Sequence, residues 1–197
     1  SGLSTDRKSE INVSVVKNAV TQKYTDIKYS GNQFMGVESA DIQGTKVYGG
    51  ISKAGNSTRE NKISVNGSYD EVYGGHTSGF GTGEADKNNS YNNTVTITGG
   101  TIGTVYGGYT DAADGTTTGN TVTLAGGTVT GTVYGGNRTA KDNTLNVNTA
   151  SSVGKIENFS KVMFKTDTAK LTLTQAGANF DLDTIAADFG ATENEVT

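Results

Sequence analysis

The tetrapeptide VYGG occurs four times, beginning at Val47, Val72, Val105 and Val133, at spacings of 25, 33 and 28 residues. A motif that returns in this way marks a repeat array, and such an array buries its apolar face by stacking each unit on the next. A second segment, led by Asn, precedes the later three copies: NKISVNGSYDE from Asn61, NTVTITGGTIGT from Asn93 and NTVTLAGGTVTGT from Asn120. A degenerate unit, NTLNVNTASSVGK, follows from Asn143 and places Ile156 where the others have the VYGG valine. EINVSVV from Glu10 is a looser, earlier candidate. The lead Asn and the aliphatic of VYGG stand 11 to 13 residues apart, whereas the stretch from Gly-Gly to the next Asn varies from 6 to 17. A constant body with one variable insertion per unit is the pattern of a solenoid that carries its loops on one face.

Within each unit the period is two, which predicts strands. Val95 and Ile97 share one face, while Thr94, Thr96 and Thr98 share the other. Val122 with Leu124, Ile63 with Val65 and Leu145 with Val147 repeat the pattern. Stacked units put these aliphatics in an inward column with levels about 4.8 Å apart, and the β-branched, polar threonines suit the outer face. The lead asparagines are placed for an internal amide ladder, each bonding to the levels above and below. Each Gly-Gly marks a corner that needs either positive φ or close backbone approach. The VYGG strand buries its valine and turns its tyrosine outward. The fold class predicted is all-β, a parallel β-helix solenoid with one variable loop insertion per coil; the right hand follows from the handedness of parallel crossovers.

The ends read differently. Residues 1–40 lack VYGG and form an N-terminal cap or irregular first coil, since a solenoid end exposes strand edges. Residues 41–160 are the VYGG repeats. Residues 161–197 add C-terminal coils, with Val162, Phe164, Leu171 and Leu173 as further inward residues, then a polar tail. A short helix from Asp183 is an alternative in that tail.

The repeats NTVTITGGTIGTVYGG and NTVTLAGGTVTGTVYGG, followed by GKIENFSKVMF and the strand TAKLTLT, resemble bacterial autotransporter passenger domains and related repetitive surface adhesins. The likeness covers roughly residues 41–174 and rests on repeat grammar. It implies a type V secreted, right-handed β-helix on the outside of a Gram-negative cell, anchored in the outer membrane through a larger chain. It also implies adhesion to a glycan or protein of a host or bacterial surface. Neither a translocator barrel nor a protease subdomain is present in this segment.

Composition narrows the chemistry. The 197 residues include 28 Gly, no Cys, no Pro, no Trp and one His, with 32% hydrophobic and 18% charged residues. Lack of Cys removes disulfides, thiolate nucleophiles and zinc-thiolate sites. A net charge of −4 argues against a nucleic-acid partner, and no apolar run reaches the ~20 residues of a membrane-spanning helix. His76 opens the longest insert, and no GxSxG elbow accompanies it, so it reads as an exposed loop residue and not as a catalytic base. Asp70 and Glu71 are adjacent and fall on opposite faces of a strand, unlike the paired carboxylates of β-helix lyases and glycosidases. No catalytic residue is assigned, and the expectation is a non-enzyme with no cofactor. Loops 79–86 and 111–115 combine Gly with acids as hard-cation loops do, but they match neither an EF-hand nor a GGxGxD array. Turn formation is therefore preferred to calcium binding there.

The candidate ligand-binding residues are the tyrosine ladder, Tyr48, Tyr73, Tyr106 and Tyr134, and the loop side chains Phe80, Tyr91, Tyr109 and Arg138. Tyrosine offers flat apolar area and a hydroxyl, which suits sugar stacking or a protein anchor. The competing reading is that the rings only stack on each other. A surface adhesin segment is the preferred function. A carbohydrate-binding or polysaccharide-degrading β-helix is the first alternative, and a pure spacer the second.

Overall fold

The computed structural model describes residues 10–15, 27–32, 34–83, 86–191 and 193–197. These residues contain strands, turns and bends and no helix. In chain order the first strands are β1 (Glu10–Val15), β2 (Ile27–Asn32), β3 (Glu38–Gln43), β4 (Lys46–Ser52), β5 (Thr58–Arg59), β6 (Asn61–Asn66) and β7 (Tyr69–Thr77). The middle units supply β8 (Ser90–Tyr91), β9 (Thr94–Gly99), β10 (Thr101–Thr110), β11 (Thr117–Thr118), β12 (Thr121–Leu124) and β13 (Thr128–Tyr134). Then follow β14 (Thr144–Val147), β15 (Ala150–Glu157), β16 (Lys161–Phe164), β17 (Lys170–Leu173), β18 (Ala186–Phe189) and β19 (Glu195–Val196).

They assemble into three sheets. The first has the order β1-β2-β6-β9-β12-β14-β16-β18, the second β3-β4-β7-β10-β13-β15-β17-β19 and the third β5-β8-β11. Each repeat thus gives one strand to each long sheet, and the units from β6 onward pair in parallel and in register. Val95 aligns with Ile63 and Val122, and Leu145 aligns with Val122 and Val162. In the second sheet Val72 aligns with Val47 and Val105, and Val133 aligns with Val105 and Ile156. Ile156 therefore occupies the VYGG valine position of the degenerate unit. The EINVSV strand does not join as a parallel repeat: β1 runs antiparallel to β2, and β2 antiparallel to β6. β3 is likewise antiparallel to β4.

The inward residues of both long sheets meet in one apolar cluster that includes Ile63, Val65, Val72, Val95, Ile97, Ile102, Val105, Val122 and Val133. One level alone contributes Val95, Ile97, Ile102 and Val105, all at 0% exposure. At about 1.5–3 kcal/mol for each fully buried aliphatic, those four contribute about 6–12 kcal/mol to their level. Val162, Phe164 and Leu171 continue the cluster as the sequence predicts, and Leu173 packs against it half-buried.

A second, polar interior lies beside it. Asn61, Asn93, Asn120 and Asn143 are fully buried and form the predicted ladder. Asn61 Nδ2 donates to Asn93 Oδ1 (2.8 Å), Asn93 Nδ2 to Asn120 Oδ1 (3.1 Å) and Asn120 Nδ2 to Asn143 Oδ1 (3.2 Å). Each Oδ1 also accepts the backbone N–H of the preceding rung's asparagine, at 2.9–3.2 Å. Tyr29 closes one end, its hydroxyl donating to Asn61 Oδ1 at 2.8 Å. Under the third sheet, Thr58, Thr77, Ser90, Thr110 and Thr117 are also fully buried. Thr58 Oγ1 bonds to both Thr77 Oγ1 and Ser90 Oγ at 2.9 Å. Fully satisfied, such a network fixes which unit faces which.

The two kinds of Gly-Gly do different work. Gly100, Gly126 and Gly127 turn corners with positive φ. The VYGG glycines have none; they lie within or at the end of strands and allow close approach instead. A Cβ on Gly74 would fall under 3.0 Å from the carbonyl oxygen of Gly107, and one on Gly107 under 3.0 Å from that of Gly135. Residues 181–185 form turns and not the alternative helix from Asp183. The polar tail is likewise ordered into β18 and β19, parallel to β16 and β17.

Candidate functional site

The tyrosines of VYGG stand on the outer face of the second sheet, opposite the buried valines. In-register pairing brings them into one stack: Tyr48–Tyr73 centroids are 5.0 Å apart at 11°, Tyr73–Tyr106 4.9 Å at 2°, and Tyr106–Tyr134 4.6 Å at 6°. The residue after each Gly-Gly, three positions past the tyrosine, joins the same face as a second column, because the alternation changes phase across Gly-Gly: Val72 and Thr77 on either side of it are both fully buried. Ile51, His76 and Tyr109 align across β4, β7 and β10.

These residues lean over the ladder in a herringbone. His76 lies edge-on to Tyr48 (5.3 Å) and Tyr73 (4.8 Å), and Tyr109 edge-on to Tyr73 (5.7 Å) and Tyr106 (5.3 Å). His76 and Tyr109 stack on each other at 4.6 Å and 15°. Ring pairs of this geometry contribute about 0.5–1.5 kcal/mol each beyond area burial. The tyrosines face outward as expected, but the second column covers them, so they do not form an open strip. Tyr48 and Tyr73 are each only 6% exposed, covered by the second column, while Tyr106, Tyr109 and Tyr134 remain half-buried. His76 is likewise a half-buried strand residue and not an exposed loop side chain.

Charge around the array is sparse. Tyr73 donates its hydroxyl to Glu71 Oε2 at 2.9 Å, and Lys46 Nζ pairs with the same carboxylate at 3.2 Å. Burial pushes the Tyr48 phenol above its ordinary pKa. It pushes Tyr73 further, aided by the Glu71 carboxylate. Tyr106 is pushed up to about 12, first by burial and then by the neighbouring phenols of Tyr134 and Tyr109. All three stay neutral hydrogen-bond donors across physiological pH. Burial lowers the His76 pKa against the opposing pull of Asp111, and its buried Nδ1 has no hydrogen-bond partner among the described residues. A neutral imidazole held between rings acts here as one more aromatic plate.

The remaining candidates lie elsewhere. Tyr91 is in the third sheet, its hydroxyl bonded to Asp86, whose carboxylate also takes Arg59 Nε at 3.3 Å. Phe80 is 63% exposed at the tip of the long insert. That insert folds back on residues 52–55: Ser78 N donates to Ser52 O and Gly55 N to Ser78 O, both at 2.8 Å. Arg138 is exposed, and its carbonyl accepts from the Thr117 backbone N–H at 3.0 Å. Thus Tyr48, Tyr73, Tyr106, Tyr134 and Tyr109 come together, whereas Phe80, Tyr91 and Arg138 do not join the array.

Sequence reasoning missed Ile51 and His76 as members of it. The signal was there, because all three members of the second column directly follow Gly-Gly. Of the two loops considered for calcium, 79–86 has its described acid, Asp86, engaged with Tyr91 and Arg59. Asp111 and Asp114 in loop 111–115 are exposed. Among the described residues no group of three His, Asp or Glu is placed to hold a metal ion. No protein-family model, curated protein or solved structure matches this chain.

Proposed function

We propose that the chain is a segment of a right-handed β-helix solenoid that serves as a non-enzymatic adhesin on a bacterial surface. In this reading it is a stiff stalk, outside the cell and anchored through a larger chain, which presents loops and an aromatic edge to a glycan or protein of a host or bacterial surface. One observation carries the reading: from Asn61 onward the repeats place their Asn and inward aliphatics directly over those of the next, and the four VYGG tyrosines stack in one column, while inserts of 6 to 17 residues leave the stack between the same two columns. Such construction gives a constant body with variable loops, the division of labour of a display scaffold. The repeat grammar shared with autotransporter passenger domains points the same way.

The test is an array of glycans and matrix proteins probed with the folded chain, with and without calcium. A specific signal that is reduced when residues 79–86 are replaced by a short linker, which keeps the buried Thr77 and Ser90 in place, supports display. Absence of any signal from a folded sample overturns it. A structural spacer is the second reading, favoured by the burial of Tyr48 and Tyr73 at 6% exposure, since those rings are spent on stacking. Under that reading, loss of the tyrosines changes stability alone.

A further inference from the structure

The second aromatic column ends one level before the ladder does. After Ile51, His76 and Tyr109 the fourth residue to follow Gly-Gly is Asn137. Its amide does not lean over the tyrosines. It lies along the end of β10, its Oδ1 accepting from Thr110 N (3.0 Å) and its Nδ2 donating to Thr110 O (2.7 Å), in place of a strand peptide. A ring continuing the herringbone at this level would rest its edge on Tyr106 and Tyr134, as Tyr109 does on Tyr73 and Tyr106. It would also stack on the face of Tyr109 that His76 does not cover. Exposure follows the same step, from the buried Tyr48 and Tyr73 to the half-buried Tyr106, Tyr109 and Tyr134. The rim at this level is polar. Glu157 aligns with Tyr134 in the next strand and pairs with Lys155 Nζ at 2.6 Å, and its carboxylate is felt by the Tyr106 phenol.

We propose that this step, floored by Tyr106 and Tyr134 and walled by Tyr109, is a subsite for one pyranose ring of a glycan. A pyranose brings an apolar C–H face of the right size for Tyr109 and a rim of hydroxyls for the Tyr134 phenol, Glu157 and Lys155. An aromatic side chain of a peptide would fill the same apolar area but bring no ring of hydroxyls to the Tyr134 phenol and the Glu157–Lys155 pair. The proposal deepens the adhesin reading and rests on it for its biological setting only.

The test is a titration of protein carrying 13C-labelled tyrosine rings with methyl β-glucopyranoside, N-acetylglucosamine and glucuronate, and with p-cresol as the mimic of an aromatic side chain. The expected result is saturable shifts at Tyr109 and Tyr134, none at Tyr48 or Tyr73, and at least a tenfold weaker response in Tyr109→Ala. Glu157→Gln, which leaves every ring in place, is expected to weaken the response several-fold with an unchanged melting temperature. Lack of shifts with all three pyranosides overturns the subsite, as does a response to p-cresol alone. Array binding that survives Tyr109→Ala also overturns it while leaving the adhesin reading standing. Pyranoside shifts at Tyr109 in a chain that binds no surface glycan or matrix protein would uphold the subsite and sink that reading instead.

Discussion

Replacing Asn93 by Ala tests whether the buried amide ladder holds the levels together. Asn93 Oδ1 accepts from Asn61 Nδ2 (2.8 Å) and Asn61 N (3.2 Å), and Nδ2 donates to Asn120 Oδ1 (3.1 Å), Thr58 O (3.1 Å) and Ser90 Oγ (3.2 Å). Truncation leaves two buried donors of Asn61 without their acceptor. At about 1–3 kcal/mol for each orphaned group, the loss is about 2–6 kcal/mol, a large share of the ~5–15 kcal/mol that holds a domain folded. Lys62→Ala, on the exposed face of the neighbouring strand β6, should stay within about 0.5 kcal/mol. Urea unfolding followed by far-UV circular dichroism reads the midpoint. Hydrogen exchange around Asn61 and Asn120 shows whether the damage stays with the neighbouring levels, as it should in a stack with nearest-neighbour coupling. A loss below about 1 kcal/mol, or one spread evenly along the chain, would refute the ladder as a source of cohesion.

Other consequences are equally concrete. Gly74→Ala should destabilise by about 1–3 kcal/mol, because the new Cβ meets the backbone oxygen of Gly107. Gly44→Ala has open space and only its positive φ of 63° to oppose it, so a larger loss at Gly44 in thermal melts would contradict the packing described. Burial depresses the His76 pKa. The unfolded chain therefore takes up the proton first, and the contribution of His76 to stability is present above the ordinary imidazole value of about 6.5 and lost as pH falls below it. His76→Phe should remove that component from a comparison of melting temperatures at pH 5 and 7.5; an unchanged slope would show that His76 is not its source. Tyr106, pushed up to about 12, contributes stability that is full below pH 10 and lost as pH rises from 10 toward 12. Phenolate formation at Tyr106 itself, read from its labelled ring resonances in the native protein at pH 10.5, would contradict its burial.

Much of this architecture is legible in the residues, for an identifiable reason. Alternation in NTVTITGG and NTVTLAGG fixes which side chains face inward, and recurrence of Asn and Tyr at near-constant offsets aligns the levels, so Ile156 could be matched to Val133 without a structure. Three features escaped. The third sheet consists of two-residue strands, Thr58–Arg59, Ser90–Tyr91 and Thr117–Thr118, too short for any period to register. Their buried hydroxyls also look, in isolation, like ordinary loop threonines. The antiparallel pairing of β1, β2 and β3 depends on which edge each strand meets, and an alternating pattern carries no direction. The tyrosines alternate outward as the period requires, yet two are buried because His76 and Tyr109 cover them. That cover is visible only when the residues after each Gly-Gly are read as a column.

The central claim is that successive repeats lie parallel and in register, and the chain lacks native Cys, so engineered cross-links can report on it cleanly. Thr96 and Thr123 are aligned partners on the outer face of the first sheet, whereas Thr94 aligns with Thr121 and stands diagonal to Thr123. A disulfide needs Cα atoms about 4.4–6.8 Å apart, a span met by parallel neighbours at about 4.8 Å and exceeded by the diagonal pair at about 8 Å. On mild oxidation of the folded protein, the double variant Thr96→Cys/Thr123→Cys should close its disulfide readily, and Thr94→Cys/Thr123→Cys should stay reduced. Preferential closure of the diagonal pair, or equal closure of both, would contradict the stacking on which the whole account rests.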